Sequence, residues 1–284
     1  MTTMESSIPK ESFLNLNMIE FSKETNRMKP FNLFLDKIII KANNVYVGKT
    51  KIIPYIFFFY MGGILMALAG SAFIEIQSEY RGHLYFLAIA LSGLLYEIFF
   101  TKIKAKFFNV LTRSYLQDIV IFIIPTCSLF FYVVSIPLPL GLDTLGLTLP
   151  LFLCSTRIGC FLSGCCYGIA AKNGVFYPKN MMKPHKGLLQ NYTPGKMVTT
   201  RVLPIQLYEA SLQAITFLLL ILVLSLSATK GHLLPIYLIS YSIMRFFLDF
   251  FRKESNRPRI KGYSEAQVFS IILLTINLLI LFML

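Results

Sequence analysis

The sequence predicts an all-α fold, a polytopic membrane protein with about seven transmembrane helices. Three observations carry that prediction. Hydrophobic residues make up 55% of the chain and charged residues 14%, where a soluble domain has about 25% charged residues. Apolar runs of about 20 residues, the length that spans a bilayer, recur along the chain. Lys and Arg gather between those runs, where they meet anionic headgroups and set topology. The net charge of +13 is therefore read as membrane-surface charge, and no nucleic-acid-binding motif accompanies it.

Residues 1–50 form a polar N-terminal segment and residues 51–284 the membrane domain. Met1 to Lys29 are polar and mixed in charge, without the layout of a cleavable signal peptide. Phe31 to Ile40 is amphipathic and too short to span, so it reads as an interfacial helix or a re-entrant segment. The first span is expected from Ile52 to Ile76, the second from His83 to Lys102 and the third from Leu116 to Ile136. The fourth is expected from Leu142 to Phe161 and, after the polar loop 169–203, the fifth from Pro204 to Ser227. Leu233 to Phe251 and Glu265 to Leu284 complete the set. Basic residues before the first span, in the loop after the second, in 169–203 and in the loop after the sixth put all four segments on one side, by charge the cytoplasmic one.

The five cysteines, Cys127, Cys154, Cys160, Cys165 and Cys166, all lie in or near spans, which argues against a secreted disulfide framework. The chain has no Trp, so 15 Tyr and the basic residues serve as interfacial anchors.

Residues 157–168 pack one Arg, three Gly and three Cys into a short run at the end of a span. Burying Arg157 there costs about 2.5–3.5 kcal/mol on insertion scales, which marks it as a candidate for binding an anion. The plainer alternative is an arginine that snorkels to the interface. Gly159, Gly164 and Gly168 allow close approach of backbone or ligand. Glu97 is a lone carboxylate in the second span, either a helix-packing hydrogen bond or a functional acid. In the fifth span Gln206 and Glu209 share one face and Tyr208 offers an interfacial ring. Near the end of the sixth, Arg245, Asp249 and Arg252 stack at i, i+4 and i+7, either as a structural ion pair or as an anion site.

These stretches, with Gly262 to Ser270 and its Gln267, resemble in order and spacing the prolipoprotein diacylglyceryl transferase family. The resemblance implies a seven-span enzyme of the bacterial plasma membrane that needs no cofactor or metal. It implies transfer of a diacylglyceryl group from phosphatidylglycerol to the lipobox cysteine of a lipoprotein precursor, with release of glycerol phosphate. Arg157 and Arg245 would hold the lipid phosphate, Asp249 would orient Arg245, and Glu209 or Glu97 would act as base. Gly159, Cys160, Gly164, Cys165, Gly168, Gln206, Tyr208, Arg252 and Gln267 would line the substrate site. The chain departs from the family where Cys160 stands for Asn, Cys165 for Glu and Leu203 for His, and where Ser92-Gly93-Leu94 carries no His. The family also places the loop 169–203 outside the membrane, against the loop charges, and that orientation is carried forward. The alternatives are a divergent phospholipid-headgroup transferase with another acceptor, using Cys160 or Cys165 as nucleophile, and a catalytically silent lipid-binding protein. Cys160, Cys165 and Cys166 with His185 make a weak soft-metal pattern, because adjacent cysteines rarely ligate one ion.

Overall fold

The computed structural model describes residues 30–48, 50–80, 82–98, 116–177, 201–226, 231–252, 259–260 and 262–283. A short helix, α1 (Pro30–Ala42), precedes a two-residue hairpin, β1 (Tyr46–Val47) with β2 (Thr50–Lys51). The helices α2 (Pro54–Gln77), α3 (His83–Ile98), α4 (Leu116–Val133) and α5 (Leu138–Ser163) follow. Then come β3 (Ala170–Val175), α6 (Ile205–Leu226), α7 (Leu233–Phe250), the pair β4 (Arg259–Ile260) and β5 (Tyr263–Ser264), and α8 (Glu265–Met283).

All seven expected spans are helices. Five of them are long and apolar enough to cross a membrane, while α3 and α4 contribute shorter apolar stretches. The protein is an all-α, multi-pass membrane protein. The fourth span starts at Leu138, earlier than expected, because Pro137 and Pro139 suit the start of a helix, where a missing N–H costs nothing.

Helix α5 is the axis of the bundle. Its apolar window is 83% buried, against 22% for α6 and α8, whose Leu218 and Leu279 face outward, as lipid-facing side chains do. It packs against α2, α6, α7 and α4, while α3 sits on α2 and α4, and α8 on α7. Without a hydrophobic drive between helices in lipid, close packing and hydrogen bonds must hold them. A Cβ at Gly146 would come within 2.4 Å of the Leu234 nitrogen, so only glycine lets α7 approach. Asp143 of α5 accepts from the Gly231 and Leu233 N–H groups, both at 2.8 Å, and so caps α7 from a neighbouring helix. The Ser155 hydroxyl donates to the Phe58 carbonyl at 2.7 Å, and the Tyr55 N–H donates to Ser163 Oγ at 2.9 Å, tying α2 to α5.

A second, smaller core closes one end of the bundle. Leu35 and Ile39 of α1 pack with Phe161, Leu162, Val175, Tyr177 and Val202. Asp36 is fully buried there. It accepts from the Phe176 N–H at 2.9 Å and pairs with Arg201 at 2.6 Å. Burial pushes the Asp36 carboxyl above its usual range, against the pull of the Phe176 N–H and of Arg201. Helix α1 thus also clamps the described ends of the loop 169–203. Residues 1–29 and 178–200, with His185, lie outside the described residues.

Candidate active site

The cysteine-rich turn that ends α5 is built by its own sequence. Gly164 takes a left-handed φ of 70°, and its N–H turns back to the Cys160 and Phe161 carbonyls. The Cys165 N–H reaches the Cys160 carbonyl at 3.1 Å, completing a Schellman closure that sets residue 165 over residue 160. Cys166 follows with φ 57°, a left-handed conformation that costs a non-glycine residue about 1–3 kcal/mol.

Backbone pairing then gathers the other two stretches. The Gly168 N–H donates to the Leu203 carbonyl and the Ile169 N–H to the Phe251 carbonyl, each at 2.9 Å. Gly168 also pairs antiparallel with Arg252. The end of α5, the entry of α6 and the end of α7 therefore meet at one point.

At that point stands a buried charge cluster. Both oxygens of Glu209 are engaged: Oε1 lies 2.9 Å from Arg157 Nε, and Oε2 pairs with Arg252 Nη2. Glu209 is 1% exposed and Arg157 5% exposed, so this is an interior network and not a surface ion pair. Arg245 lies near enough for its charge to act on Glu209 and Arg252. It faces Asp249 at 3.7 Å, and Asp249 also accepts from the Ser264 hydroxyl. Burial, and after it the charge of Arg245, lowers Arg252 from its ordinary value, while Glu209 pulls the other way. Among these described residues three guanidiniums face two carboxylates, one cation in excess. Arg245 Nη1, Arg252 Nε and Gln206 Oε1 are buried without a hydrogen-bond partner among the described residues.

The structure sorts the other predicted residues. Gln206 joins the cluster's edge, its Nε2 donating to the Cys165 carbonyl at 2.6 Å. Cys160 is buried beside Arg157, Nη1 to Sγ 4.0 Å. Gly159 and Gly168 admit protein: a Cβ would meet Phe58 Cβ at 2.8 Å and the Phe251 carbonyl at 2.7 Å, respectively. Tyr208 is 48% exposed and turns away from the cluster. Gln267 closes a capping box, its Oε1 accepting from the Ser264 N–H at 3.0 Å and its N–H donating to Ser264 Oγ at 3.2 Å. Glu97 lies on α3, which packs on α2 and α4, and its side chain is outside the described residues. Ser92, at the place of the absent His, bonds Cys127 of α4 at 3.2 Å.

Sequence reasoning missed the buried Asp36 and Asp143 and the half-buried Arg201. The spacing Ser264-x-x-Gln267 before an apolar run was a readable cap signal. Asp143 and Asp36 left no local sign, because their partners are 88 to 165 residues away.

The arrangement gathers buried guanidiniums that suit one anionic group such as a phosphate diester. The sulfurs of Cys160, Cys165 and Cys166 lie within 4.8 Å of one another beside it. Comparison with known families matches residues 47–283 to prolipoprotein diacylglyceryl transferase. A segment of 120 residues is 29% identical to phosphatidylglycerol–prolipoprotein diacylglyceryl transferase 2 of Clostridium perfringens (strain 13 / Type A). That segment covers 42% of this chain and 41% of the relative. The converging motifs, the helical bundle and a match that spans nearly all of the membrane domain agree: the chain belongs to the prolipoprotein diacylglyceryl transferase family.

Proposed function

We propose that this protein transfers a diacylglyceryl group from phosphatidylglycerol to the lipobox cysteine thiol of a lipoprotein precursor in a bacterial plasma membrane. The observation that carries this reading is the buried trio Arg157, Arg245 and Arg252, which among the described residues has one cation in excess and leaves Arg245 Nη1 and Arg252 Nε unpartnered. Leaving such donors unsatisfied costs about 1–3 kcal/mol each, a cost that a bound phosphate would remove.

The acceptor sulfur attacks the glycerol carbon next to the phosphate. The carbon–oxygen bond breaks, its electron pair stays on the phosphate oxygen, and glycerol phosphate leaves. Charge grows on that oxygen as the bond breaks, so guanidiniums fixed beforehand stabilise the transition state more than the bound lipid. Glu209, with both oxygens taken, is a positioning residue that holds Arg157 and Arg252 apart. Asp249 does the same for Arg245 and is itself held by Ser264.

The test is glycerol phosphate release by detergent-purified protein given phosphatidylglycerol and a lipobox peptide. Release should require the peptide thiol and fall by about 100- to 1,000-fold in Arg157→Ala and Arg245→Ala, the usual effect of removing a transition-state donor. Undiminished release in both variants would refute the clamp.

A further inference from the structure

The proposed chemistry needs a thiolate, and the described carboxylates of the charge cluster are all engaged. The chain has three histidines. His232 precedes α7 at the end opposite Arg252, about 30 Å along the helix, and His83 begins α3. Both oxygens of Glu209 are engaged by guanidiniums. At the place where a thiol must be activated the chain instead puts three cysteines.

Their geometry is that of an open metal site. The Schellman turn stacks Cys165 over Cys160, with Cys165 Sγ 3.6 Å from the Cys160 carbonyl. The left-handed φ of Cys166 turns the next side chain back to the same point, which removes the usual objection to adjacent ligands. The three sulfurs span no more than 4.8 Å. Three thiolates on zinc at about 2.3 Å stand about 3.8 Å apart, a closure that small side-chain rotations supply. All three cysteines are free. Cys160 is buried against Arg157 while Cys166 is exposed, so a fourth ligand can enter from outside and lie next to the arginine cluster.

We infer that Cys160, Cys165 and Cys166 hold a zinc ion whose fourth position takes the acceptor thiol. The inference rests on the transferase reading for its chemistry and on the thiol cluster for its site. Zinc with three protein ligands and one open position is the catalytic arrangement. A thiol that binds there loses its proton to water, and the metal-held sulfur attacks the glycerol carbon. The new bond is sulfur to carbon, the broken one carbon to phosphate oxygen, and no oxidant or reductant is involved. Arg157 then fixes the phosphate a few ångströms from the sulfur, which is the placement an in-line displacement needs.

The test begins with zinc stoichiometry of reduced, detergent-purified protein. One zinc per chain is expected, and none in Cys160→Ser or Cys166→Ser variants that still retain phosphatidylglycerol. Cobalt(II) loaded in place of zinc should give sulfur-to-metal charge-transfer absorption. A lipobox peptide with Cys should change that absorption, and its Ser counterpart should not. Zinc removal should lower transfer by about 100-fold or more, the lower end of what lost proton-transfer catalysis costs. Protein that retains phosphatidylglycerol but binds no stoichiometric zinc overturns the inference, as does a cobalt spectrum blind to the Cys peptide. A chain that binds zinc and the peptide thiol yet not phosphatidylglycerol would fail the transferase reading and keep the metal site.

Discussion

Glu209 is the residue on which the cluster balances. Its carboxylate joins α6 to Arg157 of α5 and to Arg252 beyond α7. Breaking one partner of a buried ion network costs about 3–5 kcal/mol, because charge is left without compensation. Glu209→Ala should therefore unfold at markedly lower temperature in detergent, and Glu209→Gln, which keeps one acceptor, should fall between it and the parent. Equal melting of all three would contradict the network. Gln267 sits in a capping box, so Gln267→Ala should lose about 1 kcal/mol of stability, checked by thermal melting. The residue types were legible in the sequence: a buried Arg after an apolar run and an Arg-x-x-x-Asp pair both announce chemistry. Their pairing was not. Residues 157, 209 and 252 meet because the backbone of Gly168 bonds Leu203 and that of Ile169 bonds Phe251, and nothing local encodes that register.

Among the elements, α5 sets everything else. Hydropathy placed all seven helices, since each is an apolar run bounded by charge or Pro. It did not show which run lies at the centre, because α5 is the least apolar-looking of the early spans, with Asp143, Thr144 and Thr148 inside it. Those polar groups turn inward: Thr148 bonds Tyr85 at 2.7 Å, and Asp143 caps α7. Asp143→Ala strips two N–H groups of their acceptor and should cost about 2–4 kcal/mol, with transfer reduced because α7 carries Arg245. Melting temperature and release rate in the same preparation check it. The clamp formed by α1 was not legible in the pattern either. An amphipathic decamer suggests an interfacial helix, and the pairing of Asp36 on its inner face with Phe176 and Arg201 leaves no local sign.

On the scale of the whole molecule, the loop charges and the family resemblance give opposite orientations. The bundle itself is indifferent, since it packs the same way either side up. On the proposed activity the site faces the outer side, and the end of α8 is then expected in the cytoplasm. A fluorescent protein fused after Leu284 should therefore fluoresce, while alkaline phosphatase fused there should be inactive. The reverse pattern would restore the charge-based orientation and call for a cytoplasmic acceptor.

If the buried arginines deliver a diacylglyceryl group to a thiol, the product carries that group on sulfur. A lipobox peptide incubated with the protein and phosphatidylglycerol would be examined by mass spectrometry. A peptide heavier by one diacylglyceryl group on its cysteine sulfur is expected, absent with the Ser peptide and strongly reduced with Arg245→Ala. An unmodified peptide in the presence of folded, lipid-retaining protein, or the same yield from Arg245→Ala, would contradict it.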